Sequence, residues 1–141
     1  MLELNGQRLT LEQVAAVASG QEHVTLAVAA RARAEAARRV VAQIVAAGRF
    51  VYGVNTGFGK LSDVHIESSQ LRELQLNLVR SHSCGLGSPL SEAEARSMLL
   101  LRANVLAHGF SGCRAVVIDT LIAILDHRSL ASIDVTHQAV S

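Results

Sequence analysis

Between Thr25 and Ala47 the chain runs without glycine or proline and is rich in alanine, and no other stretch limits the fold as much. Alanine loses no side-chain entropy on entering a helix, and Glu35 stands four residues from both Arg31 and Arg39, which supports a charged, solvated face. Ala37, Val40, Val41, Ile44 and Val45 fall on the other face, and Gly48 arrives where the pattern stops. The spacing predicts one long helix over 25–47.

The same logic predicts further helices around it. Thr10 and Gln13 have capping-box spacing ahead of Val14 and Val17, with Gly20 at the helix end. Leu71, Leu74, Leu78 and His82 recur on one stripe, predicting a helix from about Ser68 or Ser69 that Gly85, Gly87 and Pro89 end. Ser91 and Glu94 form a second capping box for a helix over 92–108, with Met98, Leu101 and Val105 on one side and Leu99 and Leu106 on another. The helix over 114–126 is apolar almost all round and belongs inside a bundle. Strand-like alternation is confined to the start, where Leu2 and Leu4 lead into Asn5-Gly6, a pair suited to a type I′ turn. The expected fold is therefore mainly α, a helical domain over 1–128 with a small N-terminal β-hairpin, followed by a loose or unrelated tail over 129–141.

Composition removes several functions. The charges nearly cancel, 13 Lys and Arg against 12 Asp and Glu, and no basic stripe with interleaved aromatics offers itself to nucleic acid. No apolar run reaches the ~18 residues of a membrane span, and the start lacks a signal-peptide pattern, so a cytoplasmic protein is expected. Cys84 and Cys113 lack paired zinc-site spacing, and the six histidines form no compact ligand set, so no metal is expected.

Three segments invite chemistry. Gly53, Gly57, Gly59 and Lys60 look like a phosphate loop, but five residues instead of four separate Gly53 from Gly59, and Leu61 replaces the required hydroxyl. Gly109-Phe110-Ser111-Gly112 nearly spells a nucleophile elbow, yet Cys113 replaces its last glycine and the flanks are helical, so Ser111 is expected to cap the next helix. Tyr52, the only tyrosine, opens a stretch whose three glycines would let backbone amides approach a ligand, or would make an ordinary mobile loop. His82 is open to two readings as well, a satisfied core histidine or a ligand-facing one.

Taken together and in order, Tyr52 to Lys60, Leu74-Gln75-Leu76-Asn77-Leu78-Val79-Arg80-Ser81-His82, and Met98 to Gly112 with Leu101-Arg102-Ala103-Asn104 resemble the amino-terminal part of the aromatic amino-acid ammonia-lyases. The resemblance runs from Leu2 to Asp126. A histidine after Arg80-Ser81 is similar to the histidine ammonia-lyases, whereas plant phenylalanine enzymes carry an apolar pair there. Tyrosine ammonia-lyases and aminomutases are the alternative, because an imidazole can hydrogen-bond a phenol as well as another imidazole.

The resemblance implies an L-aspartase-like helical fold, a homotetramer, and conversion of L-histidine to trans-urocanate and ammonia in histidine degradation. It implies that Tyr52 is the catalytic base, which needs its pKa lowered from about 10, that His82 holds the substrate ring, and that Gly53, Asn55, Thr56, Gly57, Phe58 and Gly59 form the lid. The family's electrophile, methylidene-imidazolone, arises from an Ala-Ser-Gly triad. The triad is expected to be missing here, since Ala131-Ser132-Ile133 ends in isoleucine and stands in unrelated context. The chain is thus expected to form no cofactor and to be inactive alone, as a fragment of a lyase, one half of a split enzyme, or a non-catalytic association module.

Overall fold

The computed structural model describes residues 1–85 and 87–126. In chain order the elements are β1 (Leu2–Leu4), α1 (Leu11–Ala18), β2 (Val24–Leu26), α2 (Val28–Ala46), a 3-10 turn (Gly59–Leu61), α3 (Leu71–His82), α4 (Glu92–Ala107) and α5 (Ala115–Asp126). The protein is mainly helical, as its periodicity requires. The expected tail over 129–141 lies outside the described residues.

Two boundaries have clear causes. Both expected capping boxes form: the Thr10 hydroxyl accepts from the Gln13 amide at 3.2 Å while Gln13 Oε1 accepts from the Thr10 amide at 2.8 Å, and Ser91 and Glu94 repeat the exchange. Each satisfies amides that a helix start would otherwise leave unpaired. The long helix begins later than the spacing predicts, because Thr25 and Leu26 belong to β2 and its first helical residue is Val28.

The expected hairpin is corrected. β1 pairs with β2 in parallel, Leu2 opposite Val24 and Leu4 opposite Leu26, with α1 as the crossover that a parallel pair demands. Asn5-Gly6 does turn, and Gly6 takes φ +80°, but the turn serves α4 instead of a returning strand. The Gly6 amide donates to Asn104 Oδ1 at 3.2 Å, and Asn104 Nδ2 donates to the Gln7 carbonyl at 2.8 Å. A Cβ on Gly6 would lie 2.8 Å from the His108 nitrogen, so the end of α4 fixes this glycine as firmly as its backbone angle does.

The chain divides into two compact units. The first holds Met1–Arg39 and the stretch from Pro89 onward, and the second holds Val40–Ser88. In the first, α4 packs against α1, α5 and β1, and α5 also packs on β2. Leu4, Val17, Leu100, Ile118 and Leu125 are fully buried there, each contributing roughly 1.5–3 kcal/mol of burial. Arg31 reaches from α2 to α5 with a two-pronged bond to Asp119, at 3.0 and 2.5 Å. The carboxylate raises the Arg31 pKa, first through these hydrogen bonds and then through its charge.

Candidate active-site lid and ring-binding helix

Both residues singled out for chemistry belong to the second unit. The chain leaves α2 through Gly48, which takes φ +60°, and enters a loop that is folded around its own polar side chains. Asn55 is buried: its Oδ1 accepts from the Val51 amide at 2.9 Å, and its Nδ2 donates to the Arg49 carbonyl at 2.7 Å. Thr56 is buried as well, accepting from the Gly53 amide at 3.4 Å and donating to the Gly57 carbonyl at 2.9 Å. A second strand-like segment backs the loop, with Thr56 bridged antiparallel to His65 and the Gly57 amide donating to the Val64 carbonyl at 3.0 Å.

This wiring holds Tyr52 outward. The residue is 63% exposed, and its ring meets the edge of Phe58, with centroids 6.2 Å apart. The glycines divide their work differently from the sequence reading. The Gly53 and Gly57 amides are committed to Thr56 and Val64, so they brace the loop and do not face a ligand. Gly57 is needed for space, since a Cβ there would come within 2.6 Å of Leu61 Cβ. Gly53 and Gly59 are needed for their positive φ, +75° and +57°.

The helix bearing His82 has a half-buried stripe of Leu71, Leu74 and Leu78, and none of the residues Leu71–His82 is fully buried. It starts at Leu71, later than Ser68 or Ser69, and its N-cap Gln70 makes no side-chain capping bond. His82 is exposed at the last position, which removes the core-histidine reading. Its ring is nonetheless held: Nδ1 lies 2.9 Å from the Leu78 carbonyl and 3.0 Å from Ser81 Oγ. Among the described residues, no hydrogen bond or ring contact joins Tyr52 to His82. A hollow of about 220 Å³ does lie in this unit, but Val45, Asn55, His65, Ile66 and Leu71 are among its walls and neither Tyr52 nor His82 is. It is smaller than the ~300–1,000 Å³ of ordinary small-molecule sites.

The sequence reading is corrected at two further places. Ser111 does not cap α5: its hydroxyl accepts from the Cys113 amide at 3.4 Å, and the helix begins only at Ala115. An Ala-Ser-Gly string does occur in the chain, as Ala18-Ser19-Gly20. It closes α1, the Ser19 hydroxyl donating to the Ala16 carbonyl at 3.1 Å and the Gly20 amide to the Val17 carbonyl at 3.0 Å. Cyclisation requires the glycine nitrogen at the alanine carbonyl, whereas Gly20, at φ +73°, turns its nitrogen to Val17. These residues make a helix cap and do not fit the methylidene-imidazolone group.

Compared with known proteins, residues 9–134 match the family described as aromatic amino acid lyase. The chain belongs to that family. It is 48% identical over 126 residues to histidine ammonia-lyase of Geobacillus thermodenitrificans, which covers 89% of this chain and 25% of that protein. It superposes on the crystal structure of histidine ammonia-lyase from Trypanosoma cruzi with a TM-score of 0.80 at 40% identity, covering 89% of this chain and 24% of that one. Tyrosine aminomutase from Streptomyces globisporus gives a TM-score of 0.84 at 35% identity, with 89% and 24% covered. The chain thus spans about a quarter of the length of these lyase-family relatives, and the part it matches is their mainly helical amino-terminal portion.

The structure also gives the third motif a place. Within Leu101-Arg102-Ala103-Asn104, Asn104 is buried and latches the turn at Gly6, so this part of the family pattern belongs to the scaffold. Sequence reasoning had found the motif without its task. The signal was an amide side chain on the apolar side of α4, where only a satisfied polar group persists. No helix among the described residues is long and apolar enough to cross a membrane.

Proposed function

We propose that this chain is the lid-bearing amino-terminal segment of a histidine ammonia-lyase-like enzyme, in which Tyr52 is the base for the substrate's β-hydrogen and His82 holds the substrate ring. The observation that carries the reading is the contrast within the second unit. Asn55 and Thr56 are buried and hydrogen-bonded within the loop, while Tyr52 of the same loop is largely exposed. A loop braced so thoroughly by its own polar side chains has a tyrosine to present. The substrate proposed is L-histidine and the products trans-urocanate and ammonia, within a cytoplasmic homotetramer that uses neither nucleic acid nor membrane.

The electrophile must come from outside these residues. General-base help contributes typically ~10²–10⁴-fold, well short of the ~10⁶-fold or more expected of an enzyme. Purified chain incubated with L-histidine should therefore give no urocanate absorbance, and co-expression with a fragment carrying the family's remaining sequence should restore it. Restored turnover that survives Tyr52→Phe would remove the base from the proposal. A tyrosine-acting enzyme is the second reading, favoured by the aminomutase likeness, and coumarate formation from L-tyrosine in the complemented protein would select it.

A further inference from the structure

Resting on that assignment of His82 as the ring-holding residue, we infer that α3 fixes its tautomer, with the proton on Nδ1, so that Nε2 is offered to a ligand as a hydrogen-bond acceptor. The decisive neighbour is the Leu78 carbonyl, 2.9 Å from His82 Nδ1. A carbonyl oxygen only accepts, so a contact at that distance is favourable when Nδ1 carries the proton and repulsive when it carries a lone pair. Ser81 agrees with this. Its hydroxyl donates to the same Leu78 carbonyl at 3.0 Å, which leaves Oγ to accept from Nδ1 at 3.0 Å. Both partners of Nδ1 are therefore acceptors toward it.

In the neutral imidazole the proton can sit on one nitrogen only, so a protonated Nδ1 leaves Nε2 with its lone pair. Nε2 makes no bond within the second unit among the described residues, and His82 is exposed at the end of its helix. A ligand ring must then donate. The N–H of an imidazole or the O–H of a phenol meets the requirement, whereas an unsubstituted phenyl ring leaves Nε2 unpaired when it is covered. A site built around such a bond rejects the analogue lacking it by roughly 10⁴–10⁵-fold. The same geometry makes Leu78 and Ser81 positioning residues that act through His82.

The test needs no turnover. The full chain is labelled with ¹⁵N-histidine, and the ring nitrogens are read by two-bond proton–nitrogen correlation at a pH where His82 is neutral, with His82→Gln identifying the signals. The expected pattern is a pyrrole-type Nδ1 and a pyridine-type Nε2, retained in Ser81→Ala because the Leu78 carbonyl remains. An Nε2–H tautomer in the unmodified chain, or reversion to it in Ser81→Ala with the amide spectrum intact, overturns the inference. Because the measurement is made without substrate, it separates this inference from the proposed function. Absence of urocanate on complementation counts against the function alone.

Discussion

The buried guanidinium of Arg96 donates from Nε to the carbonyl of Val17 at 2.9 Å, at the end of α1, and its Nη1 donates to the Leu125 carbonyl at 2.6 Å, at the end of α5. One side chain on α4 therefore serves carbonyls at two helix C-termini, where the helix dipole favours a cation. The Val17 carbonyl also receives the Gly20 amide, so the same interaction stabilises the cap made by Ala18-Ser19-Gly20.

Replacing this residue tests the arrangement. Arg96→Met preserves apolar volume but removes one charged donor from each of the two carbonyls, and should lower unfolding free energy by about 2–4 kcal/mol in urea titrations. Arg96→Lys should recover only part, because an ammonium lacks the planar fork that spans both helices. A loss below about 0.5 kcal/mol for the methionine variant would refute the double-cap account.

The lid glycines should fail in different ways. Gly57→Ala forces a Cβ to within 2.6 Å of Leu61 Cβ and of the Leu61 carbonyl, so the Gly59–Leu61 turn must move. Gly53→Ala meets no atom within 4 Å, and its cost is the φ of +75° alone, about 1–2 kcal/mol. Amide shifts should accordingly spread to Leu61 and Ser62 in the first variant and remain near Tyr52 in the second. Equal patterns would contradict the assignment.

Acid should fray the start of α4 in a defined manner. Hydrogen bonds from the Ser91 side chain and then its backbone amide lower the Glu94 pKa below the ordinary carboxylate value. A depressed carboxylate stabilises fully above its unfolded pKa and loses that contribution as pH falls through the lower, folded one. Amide exchange in the first turn of α4 should rise across that acidic window, and Glu94→Gln should flatten the dependence. A wild-type profile indistinguishable from that of Glu94→Gln would remove the capping box as its cause.

Self-association is expected from the outer face of α4. Met98, Leu101 and Val105 lie at helical spacing and are about half exposed, opposite the buried Leu99, Leu100 and Leu106. Sedimentation should show concentration-dependent association that Leu101→Glu with Val105→Glu reduces. A monodisperse monomer at high concentration would show that this surface is tolerated in water.

What the sequence made legible was whatever is local in the chain. The Thr10 and Ser91 caps and the Gly20 and Gly48 stops depend on neighbours within a few residues, and they form as read. The stripes form in part, since α3 starts at Leu71 with His82 exposed, and Met98, Leu101 and Val105 of α4 stay about half exposed. The partner of β1 was misread because Asn5-Gly6 has the same conformational needs in a hairpin and in a turn held by Asn104, and only the distant helix distinguishes them. The later start of α2 has a similar cause. Thr25 and Leu26 are acceptable in a helix, and pairing with β1 draws them into a strand. At the site, Tyr52 and His82 stood out in the sequence, but the bracing by Asn55 and Thr56 and the Leu78 contact of His82 arise only from the folded geometry.

The latch between Gly6 and Asn104 joins residues 98 positions apart. The first unit is interrupted by the lid-bearing stretch, so at the ribosome its opening strands emerge long before the helix they pack on. Closing an intervening loop of this size costs on the order of 3–4 kcal/mol of chain entropy before any native contact repays it. β1 and β2 thus wait for α4 while the whole lid-bearing stretch is synthesised. During synthesis the core of the first unit is consequently completed only after the tyrosine loop has been made, and substitutions in α4 should delay the closing of that core.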